Sequence, residues 1–201
     1  MKKIIAVLCA ILIMLSFSGC AKKYEAAPQI TEGEFPFVFE YELNGQRFLI
    51  EDTVVCRFEG YDLSNPFPFI PYSRTWFASL KSGEEEKRMI IEFDENTESA
   101  LVSGRVNIES RVHLFYGSGG YYLGDPDEAD RGPKIIYTEK YQTGPKEITI
   151  TATDLSYEQL EALFGIKVIR FEFSSPIENT FRLKTKGGQN YKIRERRSPA
   201  R

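Results

Sequence analysis

Apolar and polar residues alternate along much of the chain after residue 33, with a period of two residues. This period is typical of β-strands that bury one face and expose the other. The alternation is clearest in the segment ALVSGRVNIESRVHLFY, which predicts a strand with His113 on its outward face. The opposite, inward face is predicted to carry Val106, Ile108, Ser110, Val112, Leu114 and Tyr116.

A β-hairpin is predicted around Asn44-Gly45, which separates two runs rich in aromatic and β-branched residues. A type I′ turn needs positive φ at both central residues, and Asn-Gly meets that requirement. The predicted strands span residues 37–43 and 46–59. In the second strand Cys56 lies on the same face as Val54 and Phe58, so we expect its thiol to point inward.

Further strands are predicted wherever similar runs lie between turn signals. They lie near residues 74–80 and 88–94, in KIIYTEKY, KEITITAT and IKVIRFEF, and in a last hairpin around Gly187-Gly188.

One short helix, at about residues 156–165, is marked by local signals at both ends. Ser156 and Gln159 form a capping box, Leu155 and Leu160 form a hydrophobic staple, and Gly165 supplies a left-handed stop. A helix of this length is unstable alone and has to dock on the sheet. The side chains expected to dock are Leu160, Leu163 and Phe164.

These elements predict an all-β fold with about 9–11 short antiparallel strands and one docked helix. Strands at this spacing favour a single β-sandwich or a partly closed barrel. We expect the β-rich domain to span residues 34–191, after a flexible tether at 20–33 and before a basic tail at 192–201.

The first nineteen residues have the pattern of a signal peptide. Lys2 and Lys3 precede an apolar run of fourteen residues at 4–17, which is too short to span a membrane. Ser18 and Gly19 lead directly into Cys20, an ending that resembles the lipobox of bacterial lipoproteins. The resemblance implies cleavage before Cys20 and a diacylglycerol on its thiol.

Two alternatives to lipidation are an ordinary secretory signal cleaved near Ala21 and a short uncleaved anchor. Phe17 stands three residues before the cysteine, where the lipobox usually has leucine.

Charge is unevenly distributed in the chain. After residues 1–19 are removed, 24 basic and 29 acidic residues remain, a net charge of −5. Residues 182–201 carry eight basic residues and one acid, so the tail is net +7 and residues 20–181 are net −12. We expect the tail either to contact anionic lipid or wall polymer or to be solvated, and an exported acidic chain is not expected to bind nucleic acid.

Residues for nucleophilic catalysis are few. Cys9 leaves with the signal and Cys20 is the predicted anchor, so Cys56 is the one cysteine of the domain, and His113 is the only histidine. With Cys56 inward and His113 outward, a catalytic pair is not expected. Ser118 lacks the spacing of a nucleophile elbow. A catalytic pair of carboxylates is a further alternative, because any two of the 29 acidic residues of the chain could lie close together in the fold.

A proline-rich segment, LSNPFPFIPYSRTWF, concentrates aromatic side chains that could present a binding surface for a glycan or a peptide. The alternative, which we favour, is that these side chains cover one end of the sandwich. The candidate residues are Phe67, Phe69, Tyr72 and Trp76 in this segment, together with Tyr121 and Tyr122 from a later part of the chain.

A seventeen-residue segment, GSGGYYLGDPDEADRGP, is predicted to be a long loop. Its acidic side chains are oxygen ligands of the kind calcium prefers, but their spacing does not match an EF-hand. We therefore expect a solvated acidic loop, with no metal and no cofactor. The weak metal candidates are Asp125, Asp127, Glu128 and Asp130.

The signal, together with YELNGQRFLIEDTVVC, GGYYLGDP and LFGIKVIRFEFSSPIENTF, resembles a family of lipoproteins of unknown function from Gram-positive bacteria. The resemblance implies a lipid-anchored protein on the outer face of the cell membrane and assigns no site residues. The expected function is binding or assisting another component of the cell surface. The alternatives are an envelope hydrolase with a carboxylate pair and an inhibitor or immunity-type lipoprotein with one protein partner.

Overall fold

A computed structural model describes residues 25–64, 67 and 70–182, apart from the side chain of Lys87. The fold is all-β, as the sequence predicts, and the described residues contain ten strands. The strands are β1 Ala27–Pro28, β2 Glu32–Leu43, β3 Gln46–Tyr61, β4 Arg74–Leu80, β5 Met89–Phe93, β6 Glu109–Phe115, β7 Lys134–Gly144, β8 Glu147–Asp154, β9 Ile166–Phe173 and β10 Phe181–Arg182. Two α-helices, α1 Gly119–Tyr122 and α2 Tyr157–Phe164, and two 3₁₀ turns, Glu85–Arg88 and Pro126–Glu128, connect them.

The strands form two four-stranded antiparallel sheets and one two-stranded sheet. The first sheet has the order β4-β3-β2-β9, the second has the order β5-β6-β7-β8, and β1 pairs with β10. This arrangement is sandwich-like, one of the two architectures that the strand pattern predicts.

The chain divides into two compact units. The larger unit comprises residues 30–58 and 76–179, and the smaller unit comprises residues 25–29, 180–182 and the described residues between 59 and 75. Inward side chains from both four-stranded sheets form one hydrophobic cluster in the larger unit. Its most buried members are Phe39, Val54, Cys56, Val112, Leu114, Tyr122, Leu123, Leu160 and Ile166.

The β2–β3 hairpin forms where the sequence predicts it. Asn44 and Gly45 have φ of 54° and 76°, and Leu43 pairs with Gln46 on either side of the turn. Both strands are longer than predicted, because β2 begins at Glu32 and β3 ends at Tyr61. The inward position of Cys56 is also confirmed, since the free thiol is fully buried.

Helix α2 has the predicted caps. Ser156 accepts a hydrogen bond from the Gln159 amide, the Gln159 side chain accepts one from the Ser156 amide, and Gly165 is left-handed. Leu160 is fully buried, but the prediction that Leu163 docks was wrong, because its side chain is exposed.

The segment before β6 differs from its prediction. The strand begins at Glu109, and the preceding residues form a separate loop that is closed by a bridge between Glu98 and Val106. Val106 is therefore exposed, while Asn107 is fully buried, so the predicted inward and outward faces are exchanged at these positions.

The glycine-rich segment after β6 is not an irregular loop of seventeen residues. It contains α1 and the 3₁₀ turn Pro126–Glu128, which are connected by bonds such as Asp125 N to Gly120 O at 2.8 Å.

The smaller unit has its own contacts. The Arg74 side chain is nearly buried, lies over the Phe181 ring, and pairs with Glu25 at 3.4 Å. Strand β1 and the start of β2 fall in residues 27–33, where the sequence predicts a flexible tether, so these residues belong to the folded part of the chain.

Several predictions lie outside the described residues: the signal peptide, lipidation at Cys20, the hairpin at Gly187-Gly188 and the basic tail. Among the residues that the structure does describe, no helix is both long and apolar enough to cross a membrane.

Candidate functional site

The predicted aromatic surface is divided between the two units. Phe67 and Tyr72 lie in the smaller unit, where Phe67 is exposed, and Phe69 lies outside the described residues. Trp76, Tyr121 and Tyr122 lie in the larger unit.

Tyr122 is a core residue. Its side chain is fully buried, its hydroxyl donates a hydrogen bond of 2.6 Å to the carbonyl of Tyr116, and its ring stacks on Phe35 at 4.7 Å. Burial, the largest cause, raises the pKa of its hydroxyl. Tyr122 therefore stabilises the fold and presents no face to a ligand.

Trp76 and Asp125, which the sequence assigns to two different candidate sites, contact each other. The indole Nε1 donates to Asp125 Oδ2 at 2.8 Å, and Asp125 Oδ1 accepts from the amide of Asp127 at 3.0 Å. Asp125 is buried, and both of its oxygens are engaged in these bonds. Its carboxylate thus fixes the indole and caps a 3₁₀ turn.

The glycines of this segment allow close packing around Trp76. A Cβ at Gly119 would overlap the carbonyl oxygen of Phe77. A Cβ at Gly120 would lie 2.6 Å from Cγ of Glu128 and 2.8 Å from Cδ1 of Trp76. Gly119 is therefore explained by the close approach of the Phe77 backbone, and Gly120 by the close approach of the indole and Glu128.

The acidic residues do not assemble as metal ligands in the described part of the chain. No group of three or more His, Cys, Asp or Glu side chains there is placed to hold a metal ion. Glu128 pairs with Arg131 at 3.0 Å, while Asp127 is exposed.

Cys56, His113 and Ser118, the residues considered for nucleophilic catalysis, each have a different environment in the structure. Burial raises the pKa of the Cys56 thiol to about 12, so the thiolate is not formed near neutral pH. Burial, together with Arg111 and Arg88, lowers the pKa of His113. Ser118 Oγ caps α1 by accepting from the amide of Tyr121 at 3.0 Å.

The most unusual group of side chains surrounds Glu139, a residue that the sequence analysis did not single out. On β7, Ile135, Tyr137 and Glu139 all point inward, and Glu139 is only 1% exposed. A buried carboxylate is costly unless donors and a counter-ion surround it.

Those partners come from residues 97–107, which we name the 97–107 loop. Arg105 forms an ion pair with Glu139, and Ser99 Oγ donates a hydrogen bond to the same carboxylate. Asn107 Nδ2 donates to Glu139 Oε1 at 3.1 Å. The Arg105 guanidinium also lies 4.0 Å from the centroid of the Tyr141 ring. We call Ser99, Arg105, Asn107 and Glu139 the Glu139 cluster.

Backbone bonds complete the 97–107 loop. The amide of Ser99 bonds to the carbonyl of Arg105 at 2.7 Å, and the amide of Asn107 bonds to the carbonyl of Thr97 at 2.9 Å. Ser99 Oγ also accepts from the amides of Leu101 and Val102, at 3.2 and 3.0 Å. The loop conformation is thus fixed from its inner side.

The outer side of the 97–107 loop is apolar. Leu101, Val102 and Val106 are 40%, 45% and 54% exposed. Three acidic residues that precede them in the sequence, Asp94, Glu95 and Glu98, are also exposed. Arg105 is the only basic residue between positions 89 and 110, and it turns inward to Glu139. The loop therefore presents exposed apolar side chains, and exposed acidic residues lie close to it in the sequence.

Three buried polar atoms near the Glu139 cluster have no hydrogen-bond partner among the described residues: Arg105 Nε, Asn107 Oδ1 and Ser110 Oγ. Ser110 lies directly opposite Glu139 in the β6–β7 register. The inward face of β6 and β7 is therefore more polar around Ser110 and Glu139 than the alternation of apolar and polar residues predicts. The signal in the sequence was the acidic residue at the third inward position of β7.

Comparison with known proteins adds no relative to this picture. No protein-family model matches the chain, and no curated protein or solved structure matches it.

Proposed function

We propose that this chain is a lipid-anchored, extracytoplasmic binding domain and that the 97–107 loop is its recognition element. The observation that supports the proposal is the pairing of an apolar outer side with a polar inner side on one loop. Its three exposed apolar side chains stand on a backbone that the buried Glu139 cluster holds from within.

The exposed apolar surface favours contact with a partner. Fully burying a valine or leucine side chain contributes about 1.5–3 kcal/mol. Leu101, Val102 and Val106 are about half exposed, so covering all three would contribute roughly 2–4 kcal/mol. Exposed apolar groups with a polar rim are a common feature of binding sites.

The Glu139 cluster favours a binding role because it fixes one conformation. A buried ion pair adds little stability compared with apolar residues of the same volume, but it penalises every arrangement that separates the two charges. A loop that is ordered before binding loses less conformational entropy when the partner binds.

The chemistry of the loop favours a protein partner over a glycan or an anionic membrane. Sugars stack on exposed aromatic rings, whereas the outer side of this loop carries aliphatic side chains. The exposed acidic residues at positions 94, 95 and 98 would be repelled by anionic lipid and attracted by basic side chains. We infer a partner with an apolar hollow surrounded by lysine or arginine.

The Glu139 cluster gives less support to the hydrolase alternative. A glycosidase of the usual kind places two carboxyl groups on either side of the scissile bond. The groups bonded to Glu139 are instead a guanidinium, a hydroxyl and an amide.

Photocrosslinking tests the recognition loop. We would place benzoylphenylalanine at position 102 of the full chain in the native cell envelope, with position 49 as the control, because Leu49 is an exposed residue on β3. We expect a discrete protein adduct at position 102, no adduct at 49, and loss of the adduct in Leu101→Asp. Equal adducts at both positions, or an adduct that survives Leu101→Asp, would count against the loop.

A separate experiment tests the anchor. Cys20→Ala should abolish labelling of the chain by a radioactive or clickable fatty acid, and it should either release the protein into the medium or leave its signal peptide uncleaved. Unchanged labelling of this variant would show that Cys20 is not the lipidated residue.

A further inference from the structure

We propose that two copies of the chain associate through strand β8, which joins their second sheets into one continuous antiparallel sheet. Strand β8 is the last strand in the order β5-β6-β7-β8. Among residues 25–64, 67 and 70–182, none forms a backbone ladder with its outer edge. This pairing is independent of the 97–107 loop.

Strand β8 lacks the features that usually prevent sheet edges from pairing. Its central residues, 148–153, read ITITAT and contain no charge, no proline and no glycine. Natural edge strands are commonly protected by charges, bulges or short length. An eight-residue edge strand with such a sequence is therefore suited to pair with another strand.

Other edges of the two sheets have such protection. Strand β9 carries charged residues, Lys167, Arg170 and Glu172, along its length. Strand β5 has five residues and a register shift. Strand β4 is approached by Gly119, which lies against the carbonyl oxygen of Phe77. The contrast indicates that β8 is the edge that is suited to pairing.

The outward side chains of β8 are unusually apolar for exposed positions. Ile148 and Ile150 are 58% and 65% exposed, and they lie opposite Gln142 and Lys140 of β7. A strand added beside β8 would cover both isoleucines with neighbours on the same face.

The sequence of β8 selects a second copy as the occupant. A two-fold axis through Ile150, perpendicular to the sheet, pairs Ile150 with Ile150 of the second copy. It also pairs Ile148 with Ala152, and Thr149 with Thr151, so apolar faces apolar and threonine faces threonine.

The same register brings opposite charges together at both ends. Lys146, an exposed residue of the β7–β8 turn, would face Asp154 of the second copy. The Asp154 side chain is 61% exposed and already pairs with Lys134 at 2.7 Å, so its carboxylate can accept a second cation. An axis through Thr151 would instead place Ile148 opposite Asp154. The charges therefore favour the axis at Ile150.

Cysteine crosslinking tests the register. The full chain would carry Cys9→Ala and Cys20→Ala in non-ionic detergent, so that Cys56, which is buried, is the only native thiol. Ile150→Cys places two Cα atoms about 4.5–5.5 Å apart at the axis, which is within disulfide range. Ala152→Cys, on the same exposed face, separates them by about 14 Å. We expect oxidation to crosslink the first variant at least tenfold faster than the second.

Sedimentation equilibrium tests the association without a crosslink. Ile150→Glu should convert the dimer to a monomer, because two glutamates would face each other at the axis, whereas in the monomer the introduced carboxylate lies opposite Lys140. The control Leu49→Lys changes an equally exposed residue on β3 and should remain dimeric. Three results would overturn the proposal. The first is a native chain that is monomeric at about 50 µM, a concentration at which a micromolar dimer would form. The others are equal crosslinking at 150 and 152, and a strand from a different protein paired with β8.

Discussion

Replacing Glu139 with alanine should lower the stability of the larger unit substantially. The carboxylate is 1% exposed and accepts from three side chains of the 97–107 loop. Without it, the Arg105 guanidinium and the Asn107 amide lose their acceptor, and the Asn107 side chain is fully buried.

The size of the effect follows from those partners. Breaking a buried ion pair by removing one member costs about 3–5 kcal/mol. The Arg105 side chain is 21% exposed, so solvent can receive part of its charge, and we expect the lower end, about 3 kcal/mol. Glu139→Gln also removes the charge, and its amide nitrogen would face side chains that donate to Glu139, so it should be destabilising by a similar amount, about 3 kcal/mol.

A double variant separates stability from loop order. Glu139→Leu with Arg105→Met removes both charges at similar volume, so it should recover the part of the lost free energy of unfolding that comes from the unpaired guanidinium, while the buried Asn107 amide still lacks its acceptor. The amides of Leu101 and Val102 should nevertheless exchange faster with deuterated solvent, because the ion pair no longer holds the loop.

Urea unfolding measured by tryptophan fluorescence gives the free energies, because Trp76 is the only tryptophan and lies in the larger unit. Two results would refute the reasoning. One is a cost below about 1 kcal/mol for Glu139→Ala, since that is no more than an ordinary hydrogen bond contributes. The other is a double variant that is as unstable as Glu139→Ala, since the ion pair would then contribute net stability that apolar packing cannot replace.

Three further predictions concern other buried groups. The Cys56 thiol should react with a maleimide only after denaturant is added. Burial also raises its pKa from 9.0 to about 12, so the free energy of unfolding should fall as pH rises above 9, and Cys56→Ala should remove that fall. Gly119→Ala should cost about 2 kcal/mol in urea unfolding because of overlap with a backbone oxygen, whereas Gly144→Ala, whose Cβ would meet only a side chain, should cost little. The pKa of His113 is lowered in the folded chain, so the unfolded chain binds a proton more readily and stability should fall as pH decreases below about 6.5. His113→Gln should flatten this dependence in thermal melts at about pH 5–8. An unchanged slope would show that His113 does not cause the dependence.

Features encoded by neighbouring residues were predictable from the sequence. The turn at Asn44-Gly45 depends on the φ preferences of two adjacent residues, and both are positive. The capping box of α2 depends on Ser156 and Gln159, three positions apart, and both of its hydrogen bonds form. Such signals need no knowledge of the rest of the fold, which is why these predictions are confirmed.

The Glu139 cluster depends on residues that are distant in sequence. Ser99 and Glu139 are forty positions apart, so no short window shows that the hydroxyl would meet the carboxylate. The alternation in the 100–116 segment also gave a wrong prediction at Val106 and Asn107, because a closed loop, rather than a strand, occupies those positions. In the same way, no local pattern indicated that Gly119 accommodates the backbone of Phe77 or that Gly120 accommodates the indole of Trp76.

In the 97–107 loop, backbone atoms fix the conformation, and different atoms, the side chains of Leu101, Val102 and Val106, are exposed to solvent. The bonds that hold Leu101 and Val102 to Ser99 come from their backbone amides, and Val106 is held by its bridge to Glu98. None of these bonds depends on which side chain is present at the three outward positions. Natural variants or a designed library could therefore change those side chains freely on an unchanged backbone, so that new specificities could arise by substitution at three positions without refolding the domain.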